Sequence, residues 1–414
     1  MTAFQFSAVF VTALFLTTLA KLWLARRHLA HIAVHRSGVP QAFNGQINLE
    51  AHQKAADYTS AKVRLSMLAV LFDALLLFAF TYGGGIQFIA DLWLDTFTSP
   101  LAQGMAAIVF VLLLSALLET PFDLYRTFVI EARYGFNKMT LALYLADMLK
   151  GMLLGAVLGL PLLFGVLWLM ERMGGNWWLY VWAVWVTFNL LLLFIYPSFI
   201  APLFNKFQPL QDEALKARIG ALLVKCGFTA SGLFVMDGSR RSSHGNAYFT
   251  GFGKTKRIVF FDTLLERLTP NEIEAVLAHE LGHFKHRHVM KRIVFTFALS
   301  LGFLWLLAQL MQAGWFYQGL GVTTQSTALA LLLFFMVLPV FSFLLQPLMS
   351  FFSRKHEFEA DVYAAQQTDA RDLSSALVKM YQDNASTLTP DPLYSTFYDS
   401  HPPAPVRIAR LQTL

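Results

Sequence analysis

The residues best placed to do chemistry are His279 and His283, in the run Glu274-Ala-Val-Leu-Ala-His-Glu-Leu-Gly-His283. Positions four apart lie on one face of a helix, so both imidazoles can hold a single ion. Glu280 is rotated off the line joining them, yet its side chain can reach a water on that ion. This His-Glu-x-x-His order is the spacing used by zinc peptidases. A catalytic zinc takes three protein ligands and keeps a fourth position open. Glu357, in Ser353-Arg-Lys-His-Glu-Phe-Glu-Ala-Asp361, can complete a His₂Glu set for one Zn²⁺ per chain. Asp361 lies four residues on, shares that face, and is placed to accept the free N–H of a ligand imidazole. Glu359 cannot point at the same ion, being two residues from Glu357, and reads as solvating a helix that leaves a bilayer. His356, beside Arg354 and Lys355, suits an interface, and His286 and His288 read as part of a basic membrane-facing stretch.

The mechanism follows from these parts. Zinc lowers the pKa of water towards about 7 and polarises a scissile carbonyl. Glu280 can take the proton and pass it to a leaving amine. A His-Glu-x-x-His run can arise by chance on a polar helix, but this helix has proper start signals. Thr269 can cap it, Pro270 suits the first position, and Glu272 completes a capping box.

The elements that must position these groups are largely apolar. Of the 414 residues, 56% are hydrophobic and 14% charged. Soluble domains run at about 45–50% and about 25%. Seven segments reach the roughly 20 apolar residues that a bilayer crossing needs. They lie near 3–24, 63–83, 103–122, 150–170, 177–203, 292–314 and 326–350. The first is too long for a signal-peptide core and reads as a retained span. The net charge of +6 follows the spans, with no aromatic-basic nucleic-acid module, so no nucleic-acid partner is expected. The single cysteine, Cys226, excludes an internal disulfide and a multi-cysteine zinc site.

Lys and Arg gather in cytoplasmic loops. Arg26, Arg27, Arg36, Lys54 and Lys62 follow the first span, and Arg126, Arg133 and Lys138 follow the third. The connections at 84–102 and 315–325 carry no Lys or Arg. The N-terminus is therefore expected outside and the catalytic domain in the cytosol. That membrane would be a bacterial inner membrane or a eukaryotic endoplasmic reticulum. The polar stretches 204–291 and 351–414 are expected to fold as one α+β unit, interrupted by two spans at 292–350, with spans one to five in 1–203. Residues 211–225 read as helix, with strands at Leu233–Met236, Asn246–Thr250 and Arg257–Phe261, the last two joined by a Gly-rich turn. Asp73 and Glu119 fall in or beside apolar spans, where charges usually face a protein interior or water; Glu119, next to Pro121, could instead mark the cytosolic boundary.

Several further motifs carry a resemblance. They are Thr127-Phe-Val-Ile-Glu131 with Gly135-Phe-Asn137, and Tyr196-Pro-Ser-Phe-Ile-Ala-Pro-Leu-Phe-Asn205-Lys-Phe207. Ser239, Arg241, Ser242 and His244 lead into Asn246-Ala-Tyr-Phe-Thr-Gly251, and His401-Pro-Pro-Ala-Pro-Val-Arg407 follows the two zinc motifs. With these the chain resembles the type I CAAX prenyl endopeptidases, integral-membrane gluzincins whose seven spans surround a chamber. The resemblance implies a mainly α, seven-helix transmembrane bundle enclosing a chamber, with a cytosolic α+β gluzincin-type zinc protease domain. It implies catalytic Glu280, zinc on His279, His283 and Glu357, and Asp361 behind them. It places Asn246 and His401 near the scissile bond, with Arg407 as a polar support, and makes Asn246–Gly251 an edge strand for the substrate backbone. The expected partners are the lipid bilayer and a peptide or protein substrate, lipidated or not. From the residues alone, Asn246 could be a turn residue and His401 loop punctuation. The competing classes are a multi-spanning transporter and a non-catalytic scaffold, each with an incidental His-Glu-x-x-His.

Overall fold

Apolar runs in a bilayer must satisfy their own backbone groups, which leaves helix as the form for this composition. A computed structural model describes residues 1–250 and 257–414. The membrane part contains α1 (Ala3–His35), α2 (Leu49–Phe80), a short α3 (Gly85–Leu94), α4 (Pro100–Tyr125), α5 (Leu141–Arg172), α6 (Trp177–Ile195) and α7 (Ala201–Phe204). Among the described residues, seven helical segments are long and apolar enough to cross a membrane, as the hydropathy reading expects. α3 is an additional helix within the connection at 84–102, too short to read as a span. Gly84 turns the chain with φ 77, and Ile86, Ile89 and Ala90 bury one face of this ten-residue helix against α4.

The polar unit begins with β1 (Phe207–Pro209), α8 (Glu213–Cys226), β2 (Gly232–Met236), β3 (Ala247–Thr250), β4 (Arg257–Phe261) and α9 (Asp262–Leu265). The sheet order is β1-β2-β4-β3, with β2 and β4 parallel and both outer pairs antiparallel. β3 is therefore an edge strand. Residues 251–256, including the expected Gly-rich turn and Gly251, lie outside the described residues. α10 (Pro270–Lys285) follows, opened by Thr269 and Glu272 in the expected capping box. Next come α11 (His288–Leu310), α12 (Gly314–Gln318), α13 (Thr327–Ser342), α14 (Gln346–Gln367), α15 (Ala370–Asp383), α16 (Pro392–Tyr398) and α17 (Ala404–Leu411).

The spans pack unevenly. At the end remote from the sheet, Phe10, Ile108, Leu167, Trp177, Leu307, Phe316 and Leu333 form one buried cluster. Towards the sheet, α5 and α6 have almost no buried residues, and only 6% of each apolar window is enclosed. Helices packed as an ordinary bundle would bury a continuous stripe. Here the buried residues of α5 and α6 are confined to the end remote from the sheet, and the rest of each helix presents apolar side chains outward. Lys21, Asp73 and Glu119 line one half-open cleft of about 340 Å³ between spans, so Glu119 shares a cleft with Asp73.

α1 has 33 residues, or about 50 Å at 1.5 Å per residue, against a hydrocarbon layer of about 30 Å. Its extension reaches the polar unit. Arg27 donates to Asp391 at 2.9 Å, His28 Nδ1 accepts from the Asp391 amide at 3.1 Å, and the His28 ring stacks on Tyr394 at 4.1 Å.

α10 and α14 form the central packing pair of the polar unit. Ile258, Phe260, Leu277, Leu281, Tyr363, Ala364 and Leu373 build the core around them. The helices approach closely at Gly282, where an added Cβ would stand 2.9 Å from the Ala360 Cα and 3.1 Å from its carbonyl oxygen. Both obstacles are backbone, so the helices themselves would have to part. Gly282→Ala is expected to cost about 1–3 kcal/mol, as overpacked cores do. It should lower the thermal midpoint and weaken metal retention together. An unshifted midpoint in Gly282→Val would show that the contact is not constraining.

Candidate metal centre

The capping box starts α10 at a fixed register, and one turn separates His279 from His283 on its inner face. α14 crosses that face with Glu357. The atoms converge: His279 Nε2 lies 3.3 Å from His283 Nε2, Glu357 Oε2 3.4 Å from His279 Nε2, and Glu357 Oε1 3.3 Å from His283 Nε2. A tetrahedral ion with ligand bonds of about 2.0–2.1 Å holds its ligand atoms about 3.3–3.4 Å apart. The three groups therefore already have the separations such an ion requires. The Glu357 carboxylate is buried, and its Oε2 has no hydrogen-bond partner. A buried carboxylate oxygen without a hydrogen bond is costly, and a cation between the three groups would lower that cost.

His279 is braced from behind. Its Nδ1 lies 2.9 Å from Asp361 Oδ1, and Arg407 grips the same carboxylate with Nε at 2.9 Å and Nη2 at 2.6 Å. Such a two-pronged fork fixes orientation as well as charge. Arg407 Nη1 also stands 3.5 Å from Glu357 Oε2, and this guanidinium is buried. α17 brings Arg407 to the site, and the loop before it brings His401. The His401 Nε2 is 3.5 Å from Glu357 Oε1, while its ring remains 62% exposed at the mouth. Glu280 is half-buried beside His279, and its carboxylate has no hydrogen bond or ion pair among the described residues.

The structure thus brings His279, His283, Glu357, Asp361, Arg407 and His401 into one network, with Glu280 alongside. Asn246 is not part of it. That residue is exposed just before β3, which starts at Ala247 rather than at the expected Asn246, and its side-chain oxygen accepts from the Ala247 amide at 2.8 Å. A contact that the spacing did not suggest joins the network on the other side, where His283 Nδ1 lies 3.0 Å from His288 Nδ1. His244 is held elsewhere, 3.1 Å from Asn384 and 3.5 Å from Glu131.

Seven apolar helices and a paired-imidazole, carboxylate centre with a free glutamate beside it define a membrane-embedded metallopeptidase. Comparison with known proteins agrees. Residues 28–206 match the family model described as "CAAX prenyl protease N-terminal, five membrane helices", and residues 209–414 match peptidase family M48. "CAAX prenyl protease 1 homolog" of Arabidopsis thaliana is 36% identical over 386 residues, 89% of each chain. "CAAX prenyl protease 1" of Saccharomyces cerevisiae is 32% identical over 399 residues, 90% of this chain and 88% of that one. The crystal structure of S. mikatae Ste24p superposes with a TM-score of 0.91 at 30% identity, covering 98% and 99% of the two chains. The chain belongs to peptidase family M48, and it is a metallo-endopeptidase of the membrane. The transporter and scaffold readings fall away.

The electrostatics of the centre give a test. Burial alone would discharge His279, but its hydrogen bonds to Asp361 and Glu357 outweigh that and raise its pKa to about 9. The imidazolium of the metal-free protein thus contributes stability that is complete below the ordinary value of 6.5 and is lost as pH rises through about 9. An ion bound at this nitrogen must displace the proton. Apparent metal affinity is expected to fall about tenfold per unit as pH drops from about 9 towards 7, with one proton released per ion. Chelator competition across that range checks it; an affinity flat with pH contradicts it.

Proposed function

We propose that His279, His283 and Glu357 hold one zinc ion per chain, and that Glu280 is the general base of a peptide hydrolysis. The observation that carries this reading is the convergence of two imidazole Nε2 atoms 3.3 Å apart on the Glu357 carboxylate, whose Oε2 lies 3.4 Å from His279 and Oε1 3.3 Å from His283, with no hydrogen bond to the buried Oε2. The donor set of two imidazoles and a carboxylate suits zinc in a catalytic site. The ion supplies Lewis acidity, which makes water acidic near neutral pH and polarises the scissile carbonyl. Glu280, unengaged and next to His279, takes the proton and returns it to the leaving amine. Asp361, clamped by Arg407, accepts from His279 Nδ1 and so directs Nε2 at the ion. His401, exposed at the mouth, is placed to donate to the oxygen that gains charge.

The substrate enters along β3. Its outer edge carries no strand among the described residues, so an extended peptide can add there by backbone pairing. Asn246, at the head of that strand, contacts the substrate chain near the bond to be cut. The cytosol is the side on which this happens, because Lys and Arg concentrate in the connections that share it. We take the substrate to be a membrane-associated peptide or protein. The relatives, named as CAAX prenyl proteases, favour one carrying a prenyl lipid near its C-terminus.

Glu280→Gln is expected to lower peptide hydrolysis by at least about 100-fold while the ion stays bound. His283→Ala is expected to lose the ion. Full turnover by Glu280→Gln would remove this reading. The substrate part is tested by one peptide in prenylated and unmodified forms: faster cleavage of the prenylated form supports it. Equal rates would favour general clearance of membrane peptides and proteins.

A further inference from the structure

His288 is five residues beyond His283, and on a continuous helix it would point about 140° away, at 3.6 residues per turn. The chain does not continue as a helix there. α10 ends at Lys285, Arg287 adopts φ 56, and α11 starts at His288. Non-glycine residues rarely occupy that region, and those that do cluster where a site requires it. Here the break turns His288 back towards His283. Its Nδ1 lies 3.0 Å from His283 Nδ1, and its Nε2 lies 2.8 Å from Glu359 Oε2. The ring is buried to 4% exposure, with His356 stacked on it at 4.0 Å and 11° and His286 at 5.5 Å and 14°.

Each hydrogen in this chain has one possible place. An ion on His283 Nε2 leaves the ring proton on Nδ1, which must donate. The atom in range is His288 Nδ1, which therefore accepts. A neutral imidazole that accepts at Nδ1 carries its proton on Nε2, and that N–H points at Glu359 Oε2. Two carboxylates of α14 then support the two imidazoles of α10. Asp361 reaches His279 directly. Glu359, turned away from the ion, reaches His283 through His288.

The same accounting bears on a second cluster. The ligand atoms of His286, His288 and Glu359 lie within 4.8 Å of one another, close enough in principle for another ion. With its proton on Nε2 and its Nδ1 lone pair used by His283, His288 has no lone pair left to give.

We propose that His288 and Glu359 are positioning residues that fix the tautomer and ring plane of His283, and that this relay bars a second ion from the His286–His288–Glu359 group. The proposal rests on the reading of His283 as a ligand. The test uses the full chain, purified in detergent, with zinc stoichiometry and chelator-competition affinity measured for several variants. Glu359→Leu and His288→Ala are expected to bind one ion with affinity lowered about 10–100-fold, the range for loss of such partners. Glu359→Gln, which keeps an acceptor oxygen, is expected to retain most of the affinity. That rescue separates positioning from packing, and Glu359 is about one-third exposed, so both of its variants should fold. Wild-type affinity in Glu359→Leu, with the ion still lost from His283→Ala, would overturn the relay alone. Two ions per wild-type chain, one of them lost in His288→Ala, would overturn it in favour of a second metal site. An ion retained by His283→Ala would overturn the ligand reading and the relay with it.

Discussion

The Glu357 carboxylate is taken almost entirely out of water and set between two imidazoles and a guanidinium. Removing a carboxylate from solvent is expensive unless positive charge meets it. Arg407 meets part of that need, but its fork is already committed to Asp361. The remainder falls to whatever sits between His279, His283 and Glu357. Much of the surrounding structure follows from keeping that carboxylate in place. Gly282 lets α14 approach α10 closely enough, α17 brings the guanidinium, and the loop before α17 leaves one open side.

The centre is braced asymmetrically. On the His279 side, a short path runs to Asp361 and Arg407, both buried. On the His283 side, the path is longer and passes through His288 at the start of a membrane helix. One imidazole is thus anchored within the polar unit and the other at the edge of the bilayer-crossing part. α1 adds a second tie between the same two parts, through Arg27 and His28 to Asp391.

How much of this was legible in the sequence depended on whether the signal was periodic. The spans were legible because length and apolarity alone specify a crossing helix. α10 was legible because Thr269, Pro270 and Glu272 mark its start, and the four-residue spacings of His279–His283 and Glu357–Asp361 each imply a shared face. α3 and β1 were not, since ten apolar residues beside longer apolar runs, or three residues of strand, carry too little pattern. The pairing of His288 with His283 was hidden for another reason. A five-residue spacing suggests opposite faces unless one knows that Arg287 breaks the helix. The two-residue spacing separates Glu359 from Glu357 and reads it as solvating a helix, whereas it pairs with His288, and spacing along one helix cannot show that a residue from another element reaches it. The direction of the Asn246 amide is equally out of reach, because a residue just before a strand can turn its side chain to the adjoining backbone or to a neighbour.

His283 and Glu357 stand side by side, yet α11 and α13 both lie between them in the chain. The ribosome therefore makes the His-Glu-x-x-His helix well before its carboxylate partner exists. Until two more segments have been threaded through the bilayer and α14 has come back, the nascent chain carries half a centre and no Arg407. On the proposed ligand set, the centre cannot close around an ion before the last span is in place, so its assembly is coupled to completion of bilayer insertion.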